Sequence, residues 1–197
     1  METRRLNILF LTDNFPPERN VPAMRTWEHV SRWVKDGHQV TVITTAPNFP
    51  QGKPLAGYKN HWYFKEDMGG VKVIRVKSYI AANEGFLKRI LDYVSFMVTG
   101  GIAAMFQRRP DILIFDDSFS ALDVSTDARL REAMGPATAG ITKVIVAQRV
   151  STITEADQIL VLDGGHLVGS GTHTELLATC SVYREIVTSQ LGAEAAA

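Results

Sequence analysis

What most constrains this chain is a succession of short apolar runs separated by segments of helical periodicity. "LNILFLTD" (Leu6–Asp13) is near-continuous in apolar residues and of strand length, as a strand covered on both faces requires. In the loop "NFPPERNVP" consecutive prolines exclude a helix interior. "AMRTWEHVSRWVKDG" then sets Met24, Trp27, Val30 and Val34 at helical spacing and stops at Gly37. "HQVTVITTA" reads as a second strand. "VKVIRVKSY" reads as a third, alternating Val71, Val73 and Val76 with polar residues. Residues 47–70 between them, rich in proline, glycine and aromatics, read as one long loop. "NEGFLKRILDYVSFMVTGGIAAMFQRR" is a long helical run. After Asp111 come a strand (112–116), a helix (124–134), a strand (142–147), a strand (159–162), a short "HLVGSG" hairpin element and two terminal helices. Thr172 and Glu175 form a T-x-x-E capping box for the first of these helices. Strands alternating with helices predict an α/β fold: a three-layer, mostly parallel, doubly wound, Rossmann-like sheet.

Composition bounds the function. Formal net charge is zero, so nothing draws the whole molecule toward nucleic acid. The single cysteine, Cys180, excludes an internal disulfide and fits a reducing compartment. Arg4 and Arg5 precede only "LNILFL" before Thr12 and Asp13, which is no secretory signal, so the expectation is a cytoplasmic protein. The averages hide a seam. Residues 1–110 hold 16 Lys+Arg against 9 Asp+Glu, and residues 111–197 hold 5 against 12. Trp27, Trp33 and Trp62 all lie in the first part. The seam suggests a change of origin near "QRRPD".

The stretch "DILIFDDSFSALD" carries the clearest chemistry. A strand that ends in two acids is how P-loop ATPases hold magnesium and position the attacking water, here through Asp116 and Asp117. With "SALD" (Ser120–Asp123), "VIVAQRVST" and "ADQILVLDGGHLVGSGTHTELL", residues 111–197 resemble the distal part of an ABC transporter ATPase domain. The resemblance implies Asp116 as the magnesium ligand, Ser120 and Asp123 in the D-loop, and Gln148 at the switch position. Two residues depart from the family pattern. Asp117 stands where the family has Glu, drawing the carboxylate back by roughly 1.5 Å. Gln148 stands where it has His, and glutamine carries no proton at neutral pH. No G-x-x-x-x-G-K-[ST] and no LSGGQ occurs in the 197 residues; Gly52-Lys53 is followed by Pro54. Without that context Asp116 and Asp117 are solvated acids at a strand end, and Asp123 is a helix N-cap.

The first half reads differently. From Leu6 to Arg109 it resembles the start of bacterial family-4-type glycosyltransferases of the GT-B fold, through "ILFLTDNFPPERNVPAMRTWEHVSRWVKDGHQVTVITTAPNFPQGKPLAGYKN" and "VIRVKSYIAANEGFLKRILDYVSFM". Loops after the strand carboxyl ends form the binding crevice of such a fold, which makes Asp13, Asn14, Arg25, Asn48 and Lys53 the candidates. Each is otherwise an ordinary loop residue. His38, at a helix-to-strand corner, reads as structural. Ile90–Phe106 is short for a membrane span and carries Asp92, so a core helix is preferred, with membrane-surface contact through residues 86–109 second.

Together these point to a recombined or engineered hybrid. Residues 1–110 form a glycosyltransferase-like half joined at "RRPD" to an ABC ATPase-like half, 111–197, in one continuous α/β domain. The hybrid is expected to be catalytically inactive, with no cofactor and no required partner. The alternatives are a weak sugar- or nucleotide-binding module and a transferase fragment or ATPase half-site completed by a partner. Their ligands would be Mg-ATP or a nucleotide sugar. Strand 112–116 is expected beside strand 6–12, with 142–147 beyond it; P-loop order would insert 142–147 between the two.

Overall fold

In the computed structural model, which describes residues 4–80, 86–116, 138–147 and 149–195, the apolar runs assemble into one six-stranded sheet. Its strands are β1 (Asn7–Leu11), β2 (Gln39–Thr45), β3 (Tyr63–Met68), β4 (Val71–Val76), β5 (Ile112–Asp116) and β6 (Thr142–Val146). Their order is β3-β4-β2-β1-β5-β6. Every pairing is parallel except the β3–β4 hairpin. β5 therefore lies directly against β1 and β6 lies outside it, as the sequence led us to expect and not as in P-loop order.

The alternation of each strand divides the core in two. Ile8, Phe10, Val40, Val42, Val71 and Val73 face helix α1 (Val21–Lys35), with Val30 and the partly buried Trp27 and Trp33. Leu9, Leu11, Ile43, Ile74, Leu113 and Phe115 face helix α2 (Phe86–Met105), where Phe96, Met97 and Ala103 meet them. A sheet covered on both faces has no polar side to alternate, and this is why β1 reads as a continuous apolar run. Asn20 caps α1 by accepting from the Ala23 amide at 2.9 Å, and Gly37 ends it at φ 89°, a left-handed conformation that favours glycine. α2 packs on the sheet at Gly100, where a Cβ would sit at ordinary contact distance, 3.4 Å from the Phe96 ring and 3.6 Å from Ile43. The "RRPD" segment is pinned to the start of β1. The Asn7 amide donates to the Asp111 carboxylate at 2.8 Å, and the Asn7 side chain donates to the Arg108 and Arg109 carbonyls.

Three sequence expectations need correction. Residues 47–70 are not one loop, because Tyr63–Met68 forms β3 and turns into β4 through Gly69 and Gly70, both at positive φ. The alternation read in the third strand also fails, because Arg75 falls on the face of Val71 and Val73 and is 3% exposed. The strand at 159–162 does not extend the parallel sheet. It is β7 (Ile159–Asp163), paired antiparallel with β8 (His166–Gly171) in a two-stranded sheet of its own. Helices α3 (His173–Thr179) and α4 (Ser181–Ala195) complete that region around a core of Val150, Ile159, Val161, Leu176, Cys180 and Tyr183. The capping box forms as read: the Thr172 amide donates to the Glu175 carboxylate at 2.8 Å, and the Glu175 amide donates to Thr172 Oγ1. The helix expected over 124–134 lies outside the described residues.

Candidate functional site at the carboxyl end of the sheet

From β1 the chain winds to β2 on one side; from β4 it returns through α2 to β5 on the other. The carboxyl ends of β1 and β5 thus flank the point where the winding reverses, the place where open α/β sheets bind ligands. Leu11 pairs with Phe115, so the register brings Thr12 level with Asp116 and carries Asp13 past it, while the Asp116 backbone pairs with Val146. Asp117, Ser120, Asp123 and Gln148 lie outside the described residues.

The loop after β1 is held rigidly. Thr12 Oγ1 donates to the Asn14 carbonyl at 3.1 Å, and the Asp13 carbonyl accepts from the hydroxyls of Thr44 and Thr45. Asn14 Nδ2 donates to the Asp13 carboxylate at 2.6 Å, and Asn14 Oδ1 accepts from Asn20 at 2.7 Å, so Asp13 is wired to the cap of α1. Asn48 joins through Glu18. The Glu18 carboxylate, buried at 3% exposure, accepts from the Asn48 and Phe49 amides at 2.6 and 3.0 Å. Of the five crevice candidates the structure therefore brings Asp13, Asn14 and Asn48 together. Arg25 is exposed on α1 and Lys53 on the following loop. His38 is structural as read: its Nδ1 accepts from the Leu6 amide at 3.3 Å, at the opposite end of the sheet.

Sequence reasoning missed three residues here. Arg75 crosses beneath the loops, pairing with Glu66 at 2.6 Å and donating to the carbonyls of Thr45 and Pro16, with Tyr58 over its guanidinium. Glu18 is the second. Asp92 on α2 is the third: burial pushes its carboxyl up to about 6, and the charges of Asp13 and Glu18 add to the shift. The Ser78 hydroxyl opposes it, although that buried oxygen makes no hydrogen bond of full geometry. The available signal for Asp92 was a lone acid in an otherwise apolar helix. Asp13 and Glu18 thus favour a proton on Asp92, while the Arg75 guanidinium beneath the same loops offsets part of their charge. Among the described residues no three Asp, Glu, His or Cys side chains converge on a metal position. The oxygen donors nevertheless suit magnesium, which usually takes one or two carboxylates and completes its shell from water and substrate phosphates.

No protein-family model matches the chain. An uncharacterized ABC transporter ATP-binding protein of Mycobacterium tuberculosis is 47% identical over 89 residues, covering 45% of this chain and 15% of the relative. The chain is similar to ABC transporter ATP-binding proteins. YfiB of Bacillus subtilis, another of them, is 36% identical over 146 residues, 71% of this chain and 25% of its own length. A putative multidrug export ATP-binding/permease protein of Staphylococcus aureus is 43% identical over 89 residues, 45% of this chain and 15% of that one. The solved structure of a bacterial Atm1-family ABC exporter with ATP bound shares 38% identity over 41% of this chain and 14% of its own, at a TM-score of 0.39. The chain spans only about 15 to 25% of the curated relatives' length.

The ABC resemblance of the second half is thus supported, and two expectations fall. The inactive hybrid is overturned, because the relatives are named ATP-binding proteins and none of these similarities is to a glycosyltransferase. The YfiB similarity, at 71% of the chain, also reaches upstream of Asp111 and does not stop at the seam. The expectation that no partner is required falls as well, since the Staphylococcus relative joins ATP-binding and permease in one name. Among the described residues no helix is long and apolar enough to cross a membrane.

Proposed function

We propose that this chain contributes the magnesium-holding acid strand of an ABC-type ATPase that acts with a membrane-embedded transport partner. The observation that carries the reading is the 47% identity over 89 residues to an ABC transporter ATP-binding protein, together with a parallel strand β5 that ends in Asp116. Asp116 would hold magnesium on ATP, Asp117 would orient the attacking water, and Gln148 would contact the terminal phosphate. When bound, magnesium supplies charge neutralisation for the phosphates. The 197 residues hold no G-x-x-x-x-G-K-[ST], so in this reading the phosphate-cradling loop comes from another segment of the assembly. Such an assembly places the chain at the cytoplasmic face of a membrane.

The test is complementation. The full chain is mixed with an ABC ATP-binding subunit that keeps its phosphate loop but has lost its own catalytic carboxylate. Magnesium-dependent ATP turnover should appear and should vanish with Asp116→Ala. A mixture with wild-type chain that stays silent rejects the reading.

A further inference from the structure

At the other end of the sheet, below the amino ends of β1, β2 and β4, lies an open groove of about 550 Å³ whose cationic side chains are exposed. That volume falls within the range of small-molecule sites. Its wall carries Arg5, Arg108 and Lys72, with His38 and Gln107, and no Asp or Glu side chain lines it. The cations come from three separate places, namely two residues before β1, the segment after α2, and the second residue of β4. Lys72 Nζ is oriented by a 2.8 Å hydrogen bond to Gln107 Oε1. His38 Nδ1 accepts from the Leu6 amide, so the neutral ring carries its proton on Nε2 and offers a donor. By contrast, Arg4 beside them is paired with Asp111 at 3.3 Å. Among the described residues no carboxylate pairs with the guanidinium of Arg5 or of Arg108.

We propose that this groove binds a small phosphate-bearing anion. Two guanidinium groups with no carboxylate partner among the described residues offer forked donors that match phosphate oxygens, and an oriented ammonium adds a point charge. The charge layout of the sheet supports the assignment: Asp13, Glu18 and Asp92 gather at the carboxyl end, whereas at this end the carboxylates of Asp67 and Asp111 already accept from the Gly70 amide and from Asn7 and Arg4. The usual rule for α/β sheets sends ligands to the carboxyl end. Here three cations gather at the amino end instead. The site is separate from Asp116 and does not depend on the ATPase reading.

The probe is inorganic pyrophosphate without magnesium, titrated calorimetrically into the full chain at low ionic strength. Saturable binding at one site is expected. It should weaken about tenfold for Arg5→Gln or Arg108→Gln and further in the double variant. Lys72→Gln should also weaken it, while Lys143→Gln, the same charge change on β6, should leave it intact. Circular dichroism confirms that each variant folds. Heat that never saturates, equal binding by the double variant, or equal loss in Lys143→Gln would overturn the proposal.

Discussion

Arg75 carries more of this fold than its place in "VKVIRV" suggests. Its guanidinium joins β4 to β3 through Glu66, to the end of β2 through Thr45, and to the β1–α1 loop through Pro16. Removing one member of a buried, hydrogen-bonded pair leaves the other charge uncompensated. Arg75→Ala should therefore lower the unfolding free energy by about 3–5 kcal/mol, read as a shift in urea midpoint. Asp92 acts in the opposite sense. Its folded pKa of about 6 lies above that of an unfolded aspartate, so the native state binds the extra proton. Its contribution is present at low pH and is lost as pH rises through about 6. Asp92→Asn should flatten the fall in stability between about pH 4 and pH 7. At neutral pH it should raise stability by on the order of 1–2 kcal/mol, after allowance for the water that still reaches the group. A urea series across that range checks both statements, and an unchanged slope would refute the assignment. Neither residue was legible. Arg75 falls on the same face as Val71 and Val73 and breaks the alternation, and its burial depends on Glu66 and Tyr58, which lie in a segment that reads as loop. Asp92 owes its shift to Asp13 and Glu18, which are distant in sequence and close only once α2 has packed.

Glycines separate the elements that approach closely from those that do not. At Gly100 a Cβ would make ordinary contacts with Phe96 and Ile43 within a helix interior. Gly100→Ala should thus be neutral or stabilising by up to about 1 kcal/mol. At Gly169 in β8 a Cβ would meet Cys180 Sγ and Leu176 Cδ2 at 3.0 Å, both in the packed C-terminal core. Gly169→Ala should cost about 1–3 kcal/mol in that region, seen as faster amide exchange in α3. The strands buried on both faces, β1, β2 and β5, were legible because burial writes itself into continuous apolar sequence. The Thr172 capping box was legible because it is local. β3 was not, since "YFKEDM" is an edge strand with most of its side chains in water, leaving the Gly69-Gly70 turn as its one sequence signal.

At the scale of the molecule, residues from both sides of the charge seam share one sheet, because β5 pairs with β1 along four residues, while residues 150–183 enclose a small core of their own. Amide exchange should accordingly be slowest in β1, β2 and β4. The β7–β8 hairpin, with two strands and a core of six buried residues, should open first. Uniform protection across the two regions would show a single cooperative unit instead. The winding order was legible because the first strands already fix β1's neighbours. The chemistry at its carboxyl end was legible only as a motif, because the carboxylates that set its potential come from separate loops and a helix.

The sheet ends at β6, and among the described residues no strand continues it. Val144 and Val146 on that strand are 42% and 51% exposed, and the run "TKVIV" contains one charge, Lys143. An unfinished edge of this kind is a template on which an identical edge can grow, and a single ammonium is the common guard against it. The solubility of the whole protein on that flank therefore hangs on Lys143: a molecule carrying valine there would extend its sheet into its neighbours as concentration rises.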